Sequence, residues 1–173
     1  MDIRQDDLSG PAIIALLQEH LDDMYRITPA GSVHALDLAG LRMPAISFWS
    51  AWQEQELLGC AALKELDIST GEIKSMRTAR QHRGKGVAAA LLQHIIAVAT
   101  QRQYQMLKLE TGSFPEFAPA RSLYLRHGFE FCGPFADYRA DPNSVFMELK
   151  LESSGEAPSS GNSQPGSATK MLR

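Results

Sequence analysis

A mixed α/β domain, its central sheet mostly antiparallel with one parallel β-α-β crossover, is the fold class predicted by this sequence. Three observations carry the prediction. Between Ile46 and Thr78, three strand-like runs follow one another with short polar turns between them, as in hairpins. The strongest helical pattern comes next: Val87, Leu91, Ile95 and Ala99 recur at intervals of four, with Ala88, Leu92 and Ile96 beside them, making one wide apolar face. Met106-Leu107-Lys108-Leu109-Glu110 then alternates as a strand, and a helix between two strands closes as a parallel crossover.

Taken in order, Met1–Asp7 supplies a short strand, and Ser9-Gly10-Pro11 opens a helix with Ile13, Leu16, Leu17, His20, Leu21 and Met24 at helical spacing. Thr28-Pro29-Ala30-Gly31 ends it. A second short helix is predicted from Val33 to Leu41, stopped before Pro44. Ile46–Trp52, rich in aromatic residues, reads as a strand, Glu54-Gln55-Glu56 as a hairpin turn and Leu57–Leu66 as its partner. A third strand runs from Gly71 to Thr78. After the Val87 helix and the Met106 strand, a helix from Pro119 to Arg126 ends at Gly128, a natural residue just past a helix terminus. Phe129–Cys132 and Ser144–Leu151 supply the last strands. From Glu152 onward the chain is rich in Ser, Gly and Pro with almost nothing apolar to bury, so residues 1–151 are read as the domain and 152–173 as a disordered tail. No internal repeat is present.

With 173 residues, 44% hydrophobic and 21% charged, the chain has room for one core that needs no staples. A net charge of −3 gives no basic field for nucleic acid or a membrane surface. Cys60 and Cys132 are the only cysteines, far apart and each in an apolar stretch, which suits buried thiols in a reducing compartment. The five histidines (20, 34, 82, 94 and 127) lack metal-site spacing, so no metal is expected. The first residues are polar and acidic, and no run approaches the ~20 apolar residues of a membrane span. A cytoplasmic chain with neither membrane nor nucleic-acid partners is the expectation.

The most informative stretch is Arg80-Gln81-His82-Arg83-Gly84-Lys85-Gly86-Val87-Ala88, between a strand and the strongest helix. Glycines let the backbone come close to an anion, the first N–H groups of a helix point at it, and the helix dipole favours negative charge there. Arg80, Arg83 and Lys85 add charge at the rim. A Walker loop is excluded because Val87 follows Gly86. Gly84, Gly86 and Ala89 also satisfy GxGxxA with Glu110 ending the next strand, but a dinucleotide loop starts almost directly after its strand, and here a polar run intervenes. A plain solvated loop is the bland alternative.

Gln81, Gly84 and Gly86 form a QxxGxG pattern that resembles the acyl-CoA-binding motif of the GNAT superfamily of N-acyltransferases. A second segment, Ala120-Arg121-Ser122-Leu123-Tyr124-Leu125-Arg126-His127-Gly128-Phe129, resembles that family's AxxLYxxxGF motif, in the expected order. Phe117 stands where an Asn is common, so that side chain's contact is not carried over. The resemblance runs from Leu57 to Leu151; GEIKSMRT and SVFMELKL look like a branch of small bacterial proteins of mostly unassigned substrate. It implies acetyl-CoA as cosubstrate, held by Met76, Arg77, Thr78, Gln81, His82, Arg83, Gly84, Lys85, Gly86, Val87 and Ala88. It also implies a bulged third strand whose backbone at Met76 and Thr78 pairs with the pantetheine arm, the Met76 N–H polarising the thioester carbonyl.

Acyl transfer to an amine needs a base, because alkylamines are protonated near neutral pH. The resemblance points to Glu72, and two-residue periodicity puts it on the same strand face as Met76; a surface carboxylate is the plain alternative, and Glu110 is the second candidate. Tyr124 is the implied acid for the departing thiolate, or else a helix tyrosine satisfied locally. In this family the first two helices wall the acceptor site, which makes Tyr25, Ser32, His34 and Arg42 candidate substrate contacts, with Arg42 or Arg26 suited to a carboxylate. The implied activity is acetyl transfer to a primary amine of a small molecule, amino acid or protein. The alternative is a catalytically silent acyl-CoA-binding module of the same fold. The resemblance leaves room for a homodimer.

Overall fold

The computed structural model describes residues 1–152, so the predicted disordered tail, 152–173, lies outside the described residues except for Glu152. Seven strands form one sheet: β1 (Asp2–Gln5), β2 (Ile46–Gln53), β3 (Glu56–Asp67), β4 (Thr70–Thr78), β5 (Met106–Gly112), β6 (Glu130–Cys132) and β7 (Ser144–Lys150). Their spatial order is β1-β2-β3-β4-β5-β7-β6. Only β4 and β5 are parallel; every other neighbouring pair is antiparallel. The mixed sheet with its single crossover is therefore the architecture the residue patterns predict, and it rules out the open parallel sheet that a dinucleotide fingerprint needs.

Helices α1 (Pro11–Ile27) and α2 (Leu38–Leu41) cover one face, where Ile13, Leu16, Leu17 and Leu41 pack with Phe48, Cys60 and Ala62. Helices α3 (Val87–Gln101) and α4 (Ala118–Arg126) cover the other, with Leu91, Leu92, Ile95 and Leu123 against Trp49, Ala61, Leu63, Ile73, Leu107 and Leu109. The apolar face read from the intervals of four is the buried face of α3. Cys60 is fully buried, and burial pushes its thiol up to about 12, which leaves it unreactive; Cys132 is only half-buried.

The second predicted helix is shorter than its pattern suggests. Residues 33–37 are irregular, and only Leu38–Leu41 turns, started by the Asp37 carboxylate accepting from the Gly40 N–H. Asp37 satisfies the backbone better as a cap than inside a helix.

Strand β4 carries two irregularities. Cys60 of β3 pairs with Arg77 and Ala62 with Lys74, so Ser75 and Met76 together stand opposite Ala61, and Ser75 takes a φ of 51°. That is a β-bulge. The pairing of β4 with β5 also stops early, spanning Thr70–Ile73 against Met106–Leu109, while β5 continues to Gly112 paired with β7 alone. Past Ile73 the two parallel strands part.

Candidate active site

Where β4 and β5 part, a cavity of about 920 Å³ opens, walled also by the end of α1, the starts of α3 and α4, and the loop before β7. At one end lies the basic loop. Gly84 and Gly86 have φ of 74° and 81°, the left-handed region glycine adopts freely, and a Cβ at either would meet nothing within 4 Å. Gly86 is the cap of α3 and no side chain caps this helix; the first backbone bond back into the turn is Ala90 N–H to Gly86 O. The N–H groups of Val87, Ala88 and Ala89 thus lack intrahelical partners at a positive dipole end beside Arg83, an arrangement that fits a diphosphate.

Most of the predicted loop residues meet here. Met76, Arg77, Thr78, His82, Arg83, Gly84, Gly86, Val87 and Ala88 all line the cavity. Gln81 is exposed and does not, and Lys85 does not either, its Nζ lying 3.2 Å from Nδ1 of His82. His82 is buried with Nε2 2.8 Å from Glu56, which ties the loop to β3. Arg77 is buried on the α1 side and donates to Asp23 at 2.6 Å, with Arg80 bonded to the same carboxylate. Burial opposes the charge of Asp23, but the Arg77 and Arg80 guanidiniums outweigh it and hold the carboxyl at about 2. Beside them His20 is buried, and burial, helped by the Arg77 charge, lowers it to about 4, a neutral ring at ordinary pH.

The other end is acidic. Glu72 is 2% exposed and its Oε2 accepts from the Tyr138 hydroxyl at 2.6 Å and faces Lys74 Nζ at 3.3 Å. Lys74 Nζ in turn donates to the Tyr138 oxygen at 2.9 Å. Glu110, on β5, lines the same cavity; burial, with the Glu72 and Asp141 charges adding, raises its carboxyl to about 7. Tyr124 projects from α4 against Phe129, buried and lining the cavity, and burial followed by the Glu110 charge raises its hydroxyl well above the ordinary range.

One expectation fails. Met76 packs on the α3 side with Ile73, so Glu72 and Lys74 occupy the opposite face, where they meet Tyr138. The bulge inserts one residue and inverts the alternation assumed for Glu72 and Met76. Both still line the cavity because it passes between the parted strands. Of the substrate candidates, Ser32 and His34 line it, His34 packed edge-on against Tyr138. Tyr25 is 60% exposed and outside it, and Arg42, also outside, donates to the Leu8 carbonyl. Arg26 lines the mouth and is bonded to Asp23.

Sequence reasoning missed Lys74, Tyr138 and Asp23. The position of Lys74, two residues from Glu72 on a strand, was the one available signal; Tyr138 sits in a loop with no pattern. Phe117 has its own logic: a Cβ on Gly112 would lie 2.2 Å from its ring, so the aromatic residue at 117 requires glycine at 112.

The sequence model of the family described as "Acetyltransferase (GNAT) family" matches residues 13–129. A protein of Bacillus subtilis (strain 168) named "Uncharacterized N-acetyltransferase YsnE" is 57% identical over 151 residues, 87% of this chain and 100% of its own length. Another, "Uncharacterized N-acetyltransferase YedL" of Escherichia coli (strain K12), is 47% identical over 156 residues, covering 90% and 98%. Among solved structures, one from Klebsiella pneumoniae, provisionally named an acyl-CoA N-acyltransferase, superposes with a TM-score of 0.70 at 30% identity over 87% of this chain and 97% of its own. A GNAT family acetyltransferase from Elizabethkingia anophelis, solved with acetyl-CoA bound, shares the fold at a TM-score of 0.60 and 19% identity, over 87% and 97%.

Proposed function

The chain belongs to the GNAT family of acetyltransferases, and from that premise we propose that it transfers the acetyl group of acetyl-CoA directly to the neutral amine of an acceptor. What carries this reading is one continuous cavity with an uncapped helix N-terminus and Arg83 at one end and a pair of carboxylates at the other. The glycine-lined start of α3 holds the diphosphate, and the β4 backbone from Met76 to Thr78 holds the pantetheine arm. Acetyl-CoA supplies a thioester whose carbonyl carbon the acceptor nitrogen attacks.

Glu110 accepts the proton from the acceptor nitrogen, directly or through a water. Its carboxyl, raised to about 7 by burial, is matched to that task near neutral pH. Glu72, the base the family resemblance suggests, has one oxygen taken up by Tyr138 and Lys74. In this reading it acts as the second member of the pair, the fixed anion that helps keep Glu110 basic and attracts the amine. The Met76 N–H donates to the carbonyl oxygen as charge develops there. As the C–S bond breaks, the Tyr124 hydroxyl, kept protonated by its burial, donates a hydrogen bond to the departing sulfur, which leaves as the thiolate and takes its proton from solvent. The products are an acetamide and free CoA.

The test is a titration of thermal stability with acetyl-CoA and, separately, CoA. Ligand at a hundred times its dissociation constant adds about 2.7 kcal/mol, a readily measured rise in Tm. Gly84→Glu, which places a carboxylate on a left-handed backbone facing the cavity, abolishes that rise. No rise with either ligand for the native chain would rule the reading out.

A further inference from the structure

Glu72 and Glu110 are two carboxylates in one cavity, and their spacing decides how strongly each opposes the charge of the other. Backbone pairing between β4 and β5 ends at Leu109, one residue before Glu110, so side chains and not the ladder set that spacing. Glu72 is held by one oxygen. Its Oε2 accepts from the Tyr138 hydroxyl at 2.6 Å and lies 3.3 Å from Lys74 Nζ, and Lys74 closes the ring by donating to the Tyr138 oxygen at 2.9 Å. Oε1 has no hydrogen-bond partner among the described residues. Lys74 is two residues from Glu72 on the same strand and moves with it. Tyr138 comes from the loop before β7, so it is the tether that fixes Glu72 to a separate part of the fold.

The hydroxyl is placed by its ring. His34, Phe135 and Phe146 surround Tyr138, with ring centroids 5.0, 5.0 and 5.5 Å away, and Phe135 is itself edge-on to Phe146. Phe146 stands on β7 directly opposite Glu110 of β5. The tyrosine therefore links the two carboxylates, one through its hydroxyl and the other through the strand on which its cradle is built. Facing Glu110 are Glu72 and Lys74 from β4, Tyr124 from α4, Ser144 from β7, and Tyr138 and Asp141 from the loop before β7. Of these, Asp141 is committed elsewhere, accepting from the Ser32 hydroxyl and the Asn143 N–H.

Resting on the acetyl-transfer reading, we propose that Tyr138 is a positioning residue for the acid–base pair: its hydroxyl holds Glu72 away from Glu110, so that Glu110 takes the proton while Glu72 keeps one oxygen free for the acceptor's ammonium. Without that hydroxyl Glu72 loses its tie to the loop and swings nearer to Glu110. An anion brought closer makes Glu110 harder to ionise.

The experiment reads Glu110 itself, by NMR titration of its carboxyl carbon in the full chain carrying isotope-labelled glutamate, the resonance being identified by its loss in Glu110→Gln. Tyr138→Phe keeps the ring in its cradle and removes a single oxygen. The native midpoint is expected at about 7, because burial and the neighbouring anions raise it. Tyr138→Phe moves it upward by about half a pH unit or more. In Glu72→Gln, which lacks the neighbouring anion, the midpoint falls below the native one. Adding Tyr138→Phe to that background leaves it there, because the tyrosine acts through Glu72. A tyrosine that serves only the packing lowers Tm and leaves the midpoint in place, and that result overturns the proposal. An equal rise in both backgrounds overturns it too, since the hydroxyl would then act on Glu110 alone. Thermal titration of the same proteins with acetyl-CoA keeps the two readings apart: a native chain that is not stabilised removes acetyl transfer, while the NMR midpoints judge the tether by themselves.

Discussion

The two ends of the large cavity are built from different materials. The phosphate end is backbone: two left-handed glycines, a helix start without a cap, and one contiguous run of sequence. The acid end is side chains, drawn from β4, β5, α4 and the loop before β7, with Glu72 held by Tyr138 from 66 residues away. Binding by main-chain donors tolerates variation in the surrounding side chains. An acid–base site made of convergent side chains depends on every member. The difference predicts that substitutions at the two ends fail in different ways, one losing the cosubstrate and the other losing turnover.

The largest expected effect that sharpens this contrast is at Glu110. Glu110→Gln lowers kcat by about 10²–10⁴-fold while CoA-induced stabilisation stays intact. In the native chain kcat/KM rises with pH through about 7 as Glu110 loses its proton, and the variant loses that limb. Stability carries the opposite sign. A glutamate raised from near 4.5 to about 7 by burial contributes stability that is present below 4.5 and lost as pH climbs through 7, on the order of 3 kcal/mol in all. Thermal melts from pH 4.5 to 8 should therefore show the Tm of Glu110→Gln gaining on the native chain as pH rises. A variant that tracks the native Tm throughout would mean the carboxyl is not buried against its charge.

A smaller effect belongs to Tyr124. A departing thiolate, with a conjugate acid near ~8.5, needs only modest help, so Tyr124→Phe costs about tenfold or less in kcat with KM for acetyl-CoA little changed. A loss comparable to that of Glu110→Gln would make the tyrosine a member of the proton-accepting group instead. The smallest effect falls on the loop's own side chains. Gln81 is exposed and outside the cavity, so Gln81→Ala shifts CoA affinity by no more than about twofold, within about 0.5 kcal/mol. A calorimetric loss of tenfold or more would break the contrast, because side chains would then hold the phosphate end.

The same division explains what was legible in the residues alone. The order of strands and helices, the parallel crossover and the phosphate loop rest on local signals: the aromatic run of β2, the alternation in β5, the fourfold spacing in α3, and glycines before a helix. The short α2 escaped because one capping aspartate outweighs a weak helical pattern. The acid end was half visible. Glu72, Glu110 and Tyr124 could be placed on their elements, but Tyr138 meets Glu72 across 66 residues of chain and Arg77 meets Asp23 across 54, distances at which periodicity is silent. The face of Met76 was misjudged for a related reason: nothing in Lys74-Ser75-Met76 marks the extra residue.

That extra residue also governs how this strand tolerates changes in length. With Ser75 present, Lys74 turns toward Tyr138 while Met76 joins the α3 core. Removing a single codon there would not merely shorten the strand. It would rotate either the inner or the outer half by a full side-chain alternation, sending the acid wall into the core or the buried arginine into the hydrocarbon around α3. Length at this position is therefore a more stringent constraint than residue type. A library that varies residue 75 among Gly, Asn, Asp and Ser, which tolerate its left-handed backbone, should keep folding, whereas one that deletes it should not.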